Sequence, residues 1–178
     1  MKFNPIYAAY GSNLNHQQMA VRCPNAEFIG IGRLPNYRLI FRSVADIEYE
    51  TLAETLVGLW KITPKCLEAL DRYEGYPNLY DRSEVKIWIN SSPVTKNSPL
   101  FLNATIYWMR FDDERYEPPS TAYYQSIEQG YKDCGMPLSH LKMQLERATN
   151  LYYNQEANES ELRANGIFNQ GEKNGTFN

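Results

Sequence analysis

A glycine, a hydroxyl and an amide follow one another near the start of the sequence, where an apolar run ends. The stretch YAAYGSNLNHQQM covers residues 7–19 and passes from a predicted strand through Gly11, Ser12 and Asn13 into a predicted helix. Such a junction points backbone N–H groups at one place, beside the positive end of the helix dipole. Gly11 would let a ligand approach the backbone or would adopt a positive φ. The stretch fits a binding site for a carboxylate or a phosphate, but an ordinary turn uses the same residue types.

A second candidate is a glutamate at the end of a predicted helix over residues 63–74. Leu67, Leu70 and Glu74 have the spacing i, i+3, i+7, so a buried leucine stripe on one helix face leads to a carboxylate. Burial disfavours the charged form and the C-terminal end of the helix dipole acts in the same direction, so we expect a raised pKa for Glu74. Such a group can exchange a proton near neutral pH. The alternative is a solvated Glu74, or one paired with Arg82.

The other reactive residue types give poorer candidates. Ser12 is not in a Gly-x-Ser-x-Gly turn and His16 is expected to point along its helix, so serine nucleophile chemistry fits poorly. The 3 cysteines are widely spaced and are expected to pack as small apolar side chains. With 2 histidines and no Cys-x-x-Cys pair, no metal site is expected. Glu68 and Asp71 are expected to be solvated.

Composition narrows the class of protein and of partner. The net charge is −3 without a basic cluster, so no nucleic-acid partner is expected. No apolar run approaches the roughly 20 residues of a membrane helix and no secretion signal is evident, so we expect a cytoplasmic protein without a membrane partner. The 178 residues suggest one domain, over residues 1–150. A polar tail over residues 151–178 is expected to lack a core of its own.

Short strands separated by turns, with few helices, predict an α+β fold whose sheet is strongly curved or barrel-like. A turn is predicted at Pro35-Asn36 and an exposed loop at residues 90–99. The predicted strands cover residues 6–10, 27–34, 37–42, 55–62, 79–89 and 101–110.

The predicted helices carry start and stop signals. Asn15, Thr63 and Ser120 are the expected N-terminal caps of three helices, and Gly75 is expected to end the second. A last amphipathic helix is predicted over residues 138–152.

Three motifs in the sequence resemble motifs of a single family and occur in the same order as in that family. YGSNL at 10–14, LDRYEGYPNLYDR at 70–82 and PPSTAYYQSIEQGYKDCGMPLSHL at 118–141 are similar to the γ-glutamylcyclotransferase family, which includes the AIG2-like proteins. The resemblance implies a mixed β-barrel flanked by helices. It also implies a reaction in which the α-amino group of a γ-glutamyl amide or amine attacks the γ-carbonyl, which gives 5-oxoproline and a free amine. No cofactor or metal is implied, because the nucleophile is intramolecular.

The resemblance also implies roles for single residues. Glu74 matches the family's catalytic acid/base, which would deprotonate the α-ammonium group and then protonate the leaving amine. Tyr80 matches a tyrosine that lines the pocket, and Tyr116 and Tyr124 are further candidates for the lining. The loop that would hold the glutamyl part through backbone donors consists of Tyr10, Gly11, Ser12, Asn13 and Leu14.

The same motifs bear on the branch of the family. YGSN differs from the Tyr-Gly-Ser-Leu of the glutathione-degrading branch, whereas YEGYPNLYDR is closer to the branch that acts on γ-glutamylamines and to AIG2-like proteins of bacteria and plants. Two functions are open at this point: an enzyme, or a module that uses the same pocket to bind a small molecule without turnover. The leaving amine and the oligomeric state are equally open.

Overall fold

The strands of the protein close into a barrel. The computed structural model describes residues 5–89, 100–110 and 115–164, so the predicted loop at 90–99 lies outside the described residues. The strands are β1 (Ile6–Ala9), β2 (Glu27–Arg42), β3 (Val44–Lys61), β4 (Tyr80–Ile89) and β5 (Leu100–Met109). Their order is β1-β3-β2-β4-β5, and β1 pairs with β5 in parallel while the other pairs are antiparallel. The predicted α+β fold with a mixed β-barrel is confirmed.

Helices accompany the barrel. Within the described ranges they are α1 (His16–Arg22), α2 (Pro64–Glu74), α3 (Thr121–Cys134) and α4 (Leu138–Ala164), and a 3-10 turn spans Ser12–Leu14. In this part of the chain, none of the helices combines the length and the apolar character that a membrane crossing requires.

The predicted N-terminal caps and the predicted end of α2 are confirmed. Gly75 ends α2 in the left-handed conformation, with φ of 69°, so the helix stops directly after Glu74. Each predicted N-cap side chain accepts a hydrogen bond from the backbone N–H three residues later: Asn15 at 3.0 Å, Thr63 at 3.2 Å and Ser120 at 3.3 Å.

The predicted turn at Pro35-Asn36 is wrong, because β2 continues through it. Asn36 takes a φ of 61° and the pairing with β3 shifts register there, so the interruption is a bulge and not a chain reversal. The chain reverses at Ser43, and β3 begins at Val44 instead of residue 55. This part of β3 was not predicted because its charged residues interrupt the apolar alternation that is typical of a strand. These residues pair across the two strands, as Arg38 does with Glu48 at 2.8 Å.

The last helix is longer than the predicted segment at 138–152, since α4 runs to Ala164. No described residue after Ala148 is buried. Residues 151–164 are therefore helical without contributing to the core, and residues 165–178 lie outside the described residues. Glu, Gln, Ala and Leu are good helix formers, which explains how a polar segment continues a helix without burial.

Leu14 fixes the loop after β1 to the core. Its side chain is fully buried and meets β3 and α3, each of which places a glycine against it. A Cβ atom at Gly58 would lie 2.7 Å from Leu14 Cδ2, and one at Gly130 would lie 2.6 Å from the backbone nitrogen of Asn15. The two glycines therefore make room for the loop.

Gly130→Ala is expected to destabilise the protein. In an unconstrained helix this change stabilises by roughly 0.5–1 kcal/mol. Here the new methyl group would meet the backbone of the loop, so we expect the sign to reverse and the free energy of unfolding to fall by about 1–3 kcal/mol. Urea unfolding measures this, with Gln129→Ala on the exposed side of α3 as the control. A free energy of unfolding that stays the same or rises in Gly130→Ala would contradict the close packing.

Candidate active site

A cavity of about 180 Å³ lies where the loop after β1 meets the end of α2 and the start of α3. In the described part of the chain, Glu74 is the only charged residue among those that line it. Most of the other lining residues are tyrosines and loop residues. The full lining is Tyr7, Tyr10, Gly11, Ser12, Asn13, Val44, Ala45, Tyr73, Glu74, Tyr80, Tyr107 and Tyr123.

Glu74 is the last residue of α2 and places its carboxyl group at this cavity. The side-chain amide of Asn13 donates a 3.0 Å hydrogen bond to Glu74 Oε1. Burial raises the pKa of Glu74 to about 7, while the charge of Arg22 and the hydrogen bond from Asn13 lower it. The raised pKa predicted from the sequence is confirmed. The alternative pairing with Arg82 is not formed, because Arg82 binds Asp71 at 2.6 Å.

The Asn13 side chain is buried and uses all its hydrogen-bonding groups. Besides the bond to Glu74, its amino group donates to the Tyr7 hydroxyl at 2.9 Å, and its oxygen accepts from Arg22 Nη1 at 2.7 Å. A buried amide with every partner in place has a single favourable orientation. Asn13 therefore joins β1, α1 and α2 at the wall of the cavity.

Gly11, in the loop after β1, allows its neighbours to pack closely against the backbone. Gly11 has a φ of −109°, so the positive φ that we considered for it is wrong. A Cβ atom there would lie 3.3 Å from both Ala45 Cβ and the Tyr123 hydroxyl, which means that a side chain would narrow the cavity. The first backbone hydrogen bond of the loop runs from Leu14 N–H to Gly11 O at 3.0 Å. The N–H groups of Ser12 and Asn13 lie at the start of this helical segment, where N–H groups have no partner within the helix, and the Ser12 N–H bonds to the Tyr123 hydroxyl.

Tyrosine hydroxyl groups form most of the polar lining. The oxygen atoms of Tyr7 and Tyr123 accept hydrogen bonds from Asn13 and from the Ala45 N–H group, which leaves the proton of each hydroxyl for a ligand. Five of the lining tyrosines are neutral at physiological pH, because burial raises the pKa of Tyr7, Tyr10, Tyr80, Tyr107 and Tyr123.

Asp71 is not the solvated residue that the sequence predicted. Its carboxylate accepts a 2.7 Å hydrogen bond from the Tyr107 hydroxyl and pairs with Arg82. Asp71 therefore holds one of the tyrosines that line the cavity. Spacing along α2 could not reveal this contact, since it does not show that β5 packs beside that face of the helix. Glu68, on the same helix, is exposed as expected.

Three of the binding residues implied by the resemblance lie away from the cavity. Leu14 is in the core, where the two facing glycines enclose it. Tyr124 packs against the core from α3, while its neighbour Tyr123 lines the cavity. Tyr116 lines a different and larger cavity of about 390 Å³ beside α4 and donates a 3.0 Å hydrogen bond to Glu48.

The other implied residues line the cavity together, but sequence reasoning did not identify the whole lining. Helical spacing could not separate the two neighbouring tyrosines of α3, since Tyr123 and Tyr124 precede the buried Ile127 by four and three residues and both fit its face. Sequence reasoning also missed Tyr7, Tyr73 and Tyr107, although Tyr73 lies within the motif at 70–82. The implied residues that do line the cavity are Tyr10, Gly11, Ser12, Asn13, Glu74 and Tyr80.

The arrangement is suited to proton transfer by one carboxyl group. Ser12 Oγ accepts from Arg22 Nη1 at 3.2 Å, and the ring of His16 packs on Trp60, so these two residues do not form a nucleophile and base pair. All three cysteines are buried and free. In the described ranges, no group of three or more His, Cys, Asp or Glu side chains is placed to hold a metal ion.

Comparisons with known proteins find related sequences and structures. The family described as "Gamma-glutamyl cyclotransferase, AIG2-like" matches residues 7–126. The gamma-glutamylcyclotransferase of Homo sapiens is 30% identical over 151 residues, which cover 76% of this chain and 74% of that protein. The corresponding protein of Bos taurus is 29% identical over 154 residues, with coverage of 77% and 75%. A solved structure named gamma-glutamyl cyclotransferase matches with a TM-score of 0.65 and 26% identity, and the match covers 83% of this chain and 88% of that one. The chain therefore belongs to the gamma-glutamyl cyclotransferase, AIG2-like family and is an enzyme.

Proposed function

We propose that the enzyme cyclises the γ-glutamyl group of a small amide or amine to 5-oxoproline and releases the amine, with Glu74 as both base and acid. The observation that carries this proposal is a carboxyl group with a pKa of about 7 at a cavity whose other lining residues are uncharged. A group of this kind takes up and returns a proton readily near neutral pH. Membership of the family supports the class of reaction.

The reaction moves two protons from the α-nitrogen to the nitrogen that leaves, each by way of Glu74. The Glu74 carboxylate takes the first proton from the α-ammonium group of the substrate, and the free amine attacks the γ-carbonyl carbon to form the ring C–N bond. Protonated Glu74 delivers this proton to the nitrogen that leaves, the bond between that nitrogen and the γ-carbon breaks, and the carbonyl forms again. The carboxylate then takes the second proton from the ring nitrogen and passes it to the released amine, which leaves as an ammonium ion, so the carboxylate is regenerated.

Neutral donors would hold the glutamyl part. We assign this role to the loop residues Tyr10, Gly11, Ser12 and Asn13 and place Tyr80 in the lining, because all of them border the cavity with Glu74. Backbone N–H groups and tyrosine hydroxyls can bind the substrate's carboxylate without a lysine or an arginine in the cavity. An added cation would lower the pKa of Glu74 and weaken it as a base.

The test of this function is product analysis with a panel of substrates. γ-Glutamyl amino acids, γ-glutamylamines and glutathione are incubated separately with the enzyme, and 5-oxoproline is detected by mass spectrometry. We expect 5-oxoproline and the free amine in equal amounts from at least one class. Binding of a γ-glutamyl compound without release of either product would contradict the proposal.

Glu74→Gln is expected to lower kcat about a hundred- to ten-thousand-fold, the usual contribution of general acid–base catalysis. Gln has the same size and still accepts the hydrogen bond from Asn13, so KM should change much less. Steady-state release of 5-oxoproline measures both. Glu68→Gln is the matched control, because Glu68 is an exposed residue of the same helix, and it should keep wild-type kinetics. Wild-type turnover by Glu74→Gln would exclude the proposed role.

The same variant is expected to be more stable than wild type above neutral pH. Because the pKa of Glu74 rises from 4.5 to about 7 on folding, the folded state holds this proton more tightly than the unfolded state. The stability of the wild type therefore falls as the pH rises through this window. The advantage of Gln should be small at about pH 5 and reach about 1–3 kcal/mol at about pH 8. Urea unfolding of both proteins at the two pH values measures this advantage. A difference in the free energy of unfolding that does not depend on pH would argue against a buried, ionising Glu74.

Gly11→Val is expected to weaken substrate binding more than Ser12→Ala does. The valine would crowd Ala45 and the Tyr123 hydroxyl, each 3.3 Å from the position of the new Cβ. Ser12→Ala loses one hydrogen bond from Arg22 but keeps the backbone N–H. Calorimetry with a γ-glutamyl substrate in the Glu74→Gln background gives both dissociation constants without turnover. Equal affinity in the two variants would show that the backbone of this loop does not take part in substrate binding.

A further inference from the structure

Arg22 is the last residue of α1, and its guanidinium group contacts both halves of the active site. Nη1 donates to Asn13 Oδ1 at 2.7 Å and to Ser12 Oγ at 3.2 Å. Nη2 donates to Gln18 Oε1 at 2.9 Å and to the Tyr73 hydroxyl at 2.6 Å. The guanidinium carbon also lies 3.8 Å from the centre of the Tyr73 ring. A single side chain outside the cavity lining thus ties the loop after β1 to the end of α2.

Arg22 also determines which way the Asn13 amide faces. A guanidinium group has donors only, so it requires the amide oxygen of Asn13 on its side. The amino group of Asn13 consequently faces the Tyr7 hydroxyl at 2.9 Å and Glu74 Oε1 at 3.0 Å. The reversed amide would set its oxygen against the carboxylate of Glu74 and its amino group against the guanidinium. Both contacts would be repulsive, and the buried groups would lose their partners.

The surroundings of Glu74 make Arg22 the charged group that acts on its carboxylate. The other titratable groups that line the cavity are tyrosines from β1, the loop after it, α2, β4, β5 and α3. Burial raises the pKa of five of them, so these five are neutral: Tyr7, Tyr10, Tyr80, Tyr107 and Tyr123. The sixth is Tyr73, whose hydroxyl accepts a hydrogen bond from Arg22. The positive charge of Arg22 opposes the effect of burial on Glu74.

We propose that Arg22 is a positioning residue for the cyclisation, because it holds the Asn13 amino group against Glu74 and keeps the loop after β1 in place beside α2. This inference rests on the proposed role of Glu74. With Oε1 held by Asn13, Oε2 is the oxygen that takes the proton from the α-ammonium group and returns it to the leaving nitrogen. Without Arg22, the Asn13 amide is free to rotate and the carboxyl group loses its fixed direction.

Two substitutions separate the charge of Arg22 from its hydrogen bonds. Arg22→Met removes both, so we expect kcat to fall about tenfold to a hundredfold and the acidic limb of the kcat/KM profile to move to higher pH by about one unit. The direction follows because loss of the positive charge raises the pKa of Glu74, and the base is then protonated at a higher pH. Arg22→Lys keeps the charge but cannot bridge four acceptors, so kcat should fall while the limb stays close to that of wild type.

Arg38→Met is the matched control. Arg38 also makes several side-chain bonds, to Glu48, Glu50 and Tyr116, but these lie beside the second cavity. We expect this variant to lose stability while it keeps the pH profile and kcat of wild type. A merely structural role for Arg22 would give Arg22→Met the same behaviour. If Arg22→Met does not fold, Arg22→Lys provides the test. A lower kcat with an unshifted acidic limb of the kcat/KM profile would support the positioning role, and a wild-type kcat would overturn it.

Titration of the Glu74 carboxyl carbon by NMR in wild type and Arg22→Met gives a readout that does not depend on turnover. We expect a higher pKa in Arg22→Met. If Glu74→Gln is inactive but Arg22→Met retains both the wild-type profile and the wild-type titration, the Arg22 proposal is overturned and the proposed function stands. If wild type releases no 5-oxoproline from any substrate, the proposed function fails and the positioning role falls with it.

Discussion

Removal of a carboxylate from water costs free energy, and Glu74 is the carboxyl group of this enzyme's cavity that burial affects in this way. Burial beside neutral hydroxyl groups shifts its pKa to about 7, and the opposing influences are the charge of Arg22 and one hydrogen bond from Asn13. A fully exposed carboxyl group would stay ionised at neutral pH and would be a poor acid. A fully buried one without partners would stay protonated and would be a poor base. The rest of the site keeps Glu74 between these limits.

The fold provides this environment from parts that are far apart in the chain. Asn13 and Glu74 are separated by 61 residues. The loop that carries Asn13 is held by Leu14, which the glycines of β3 and α3 enclose. The left-handed Gly75 ends α2 directly after Glu74, so the carboxyl group stands at the end of the helix and beside the loop. Small changes in the packing of the loop would therefore act directly on the carboxyl group that we propose as the acid and base.

Much of this site was predictable from local patterns. Cap residues, the leucine stripe of α2 and the glycine after Glu74 are local signals, and each predicted its structure correctly. Contacts between distant elements were not predictable in this way. Asp71 was expected to be solvated because no local pattern shows that Tyr107 of β5 lies beside it. The strand after Ser43 was missed because its charged residues pair across a hairpin instead of following an apolar alternation.

In the reaction that we propose, the nucleophile comes from the substrate itself, and isotope labels distinguish this from attack by water. The enzyme is given a γ-glutamyl substrate with heavy nitrogen at the α-amino position, in water that carries heavy oxygen. We expect 5-oxoproline that retains the heavy nitrogen in its ring and contains no heavy oxygen, because the α-amine displaces the leaving amine. Glutamate that contains heavy oxygen would show that water attacks the γ-carbonyl, and it would exclude the intramolecular cyclisation.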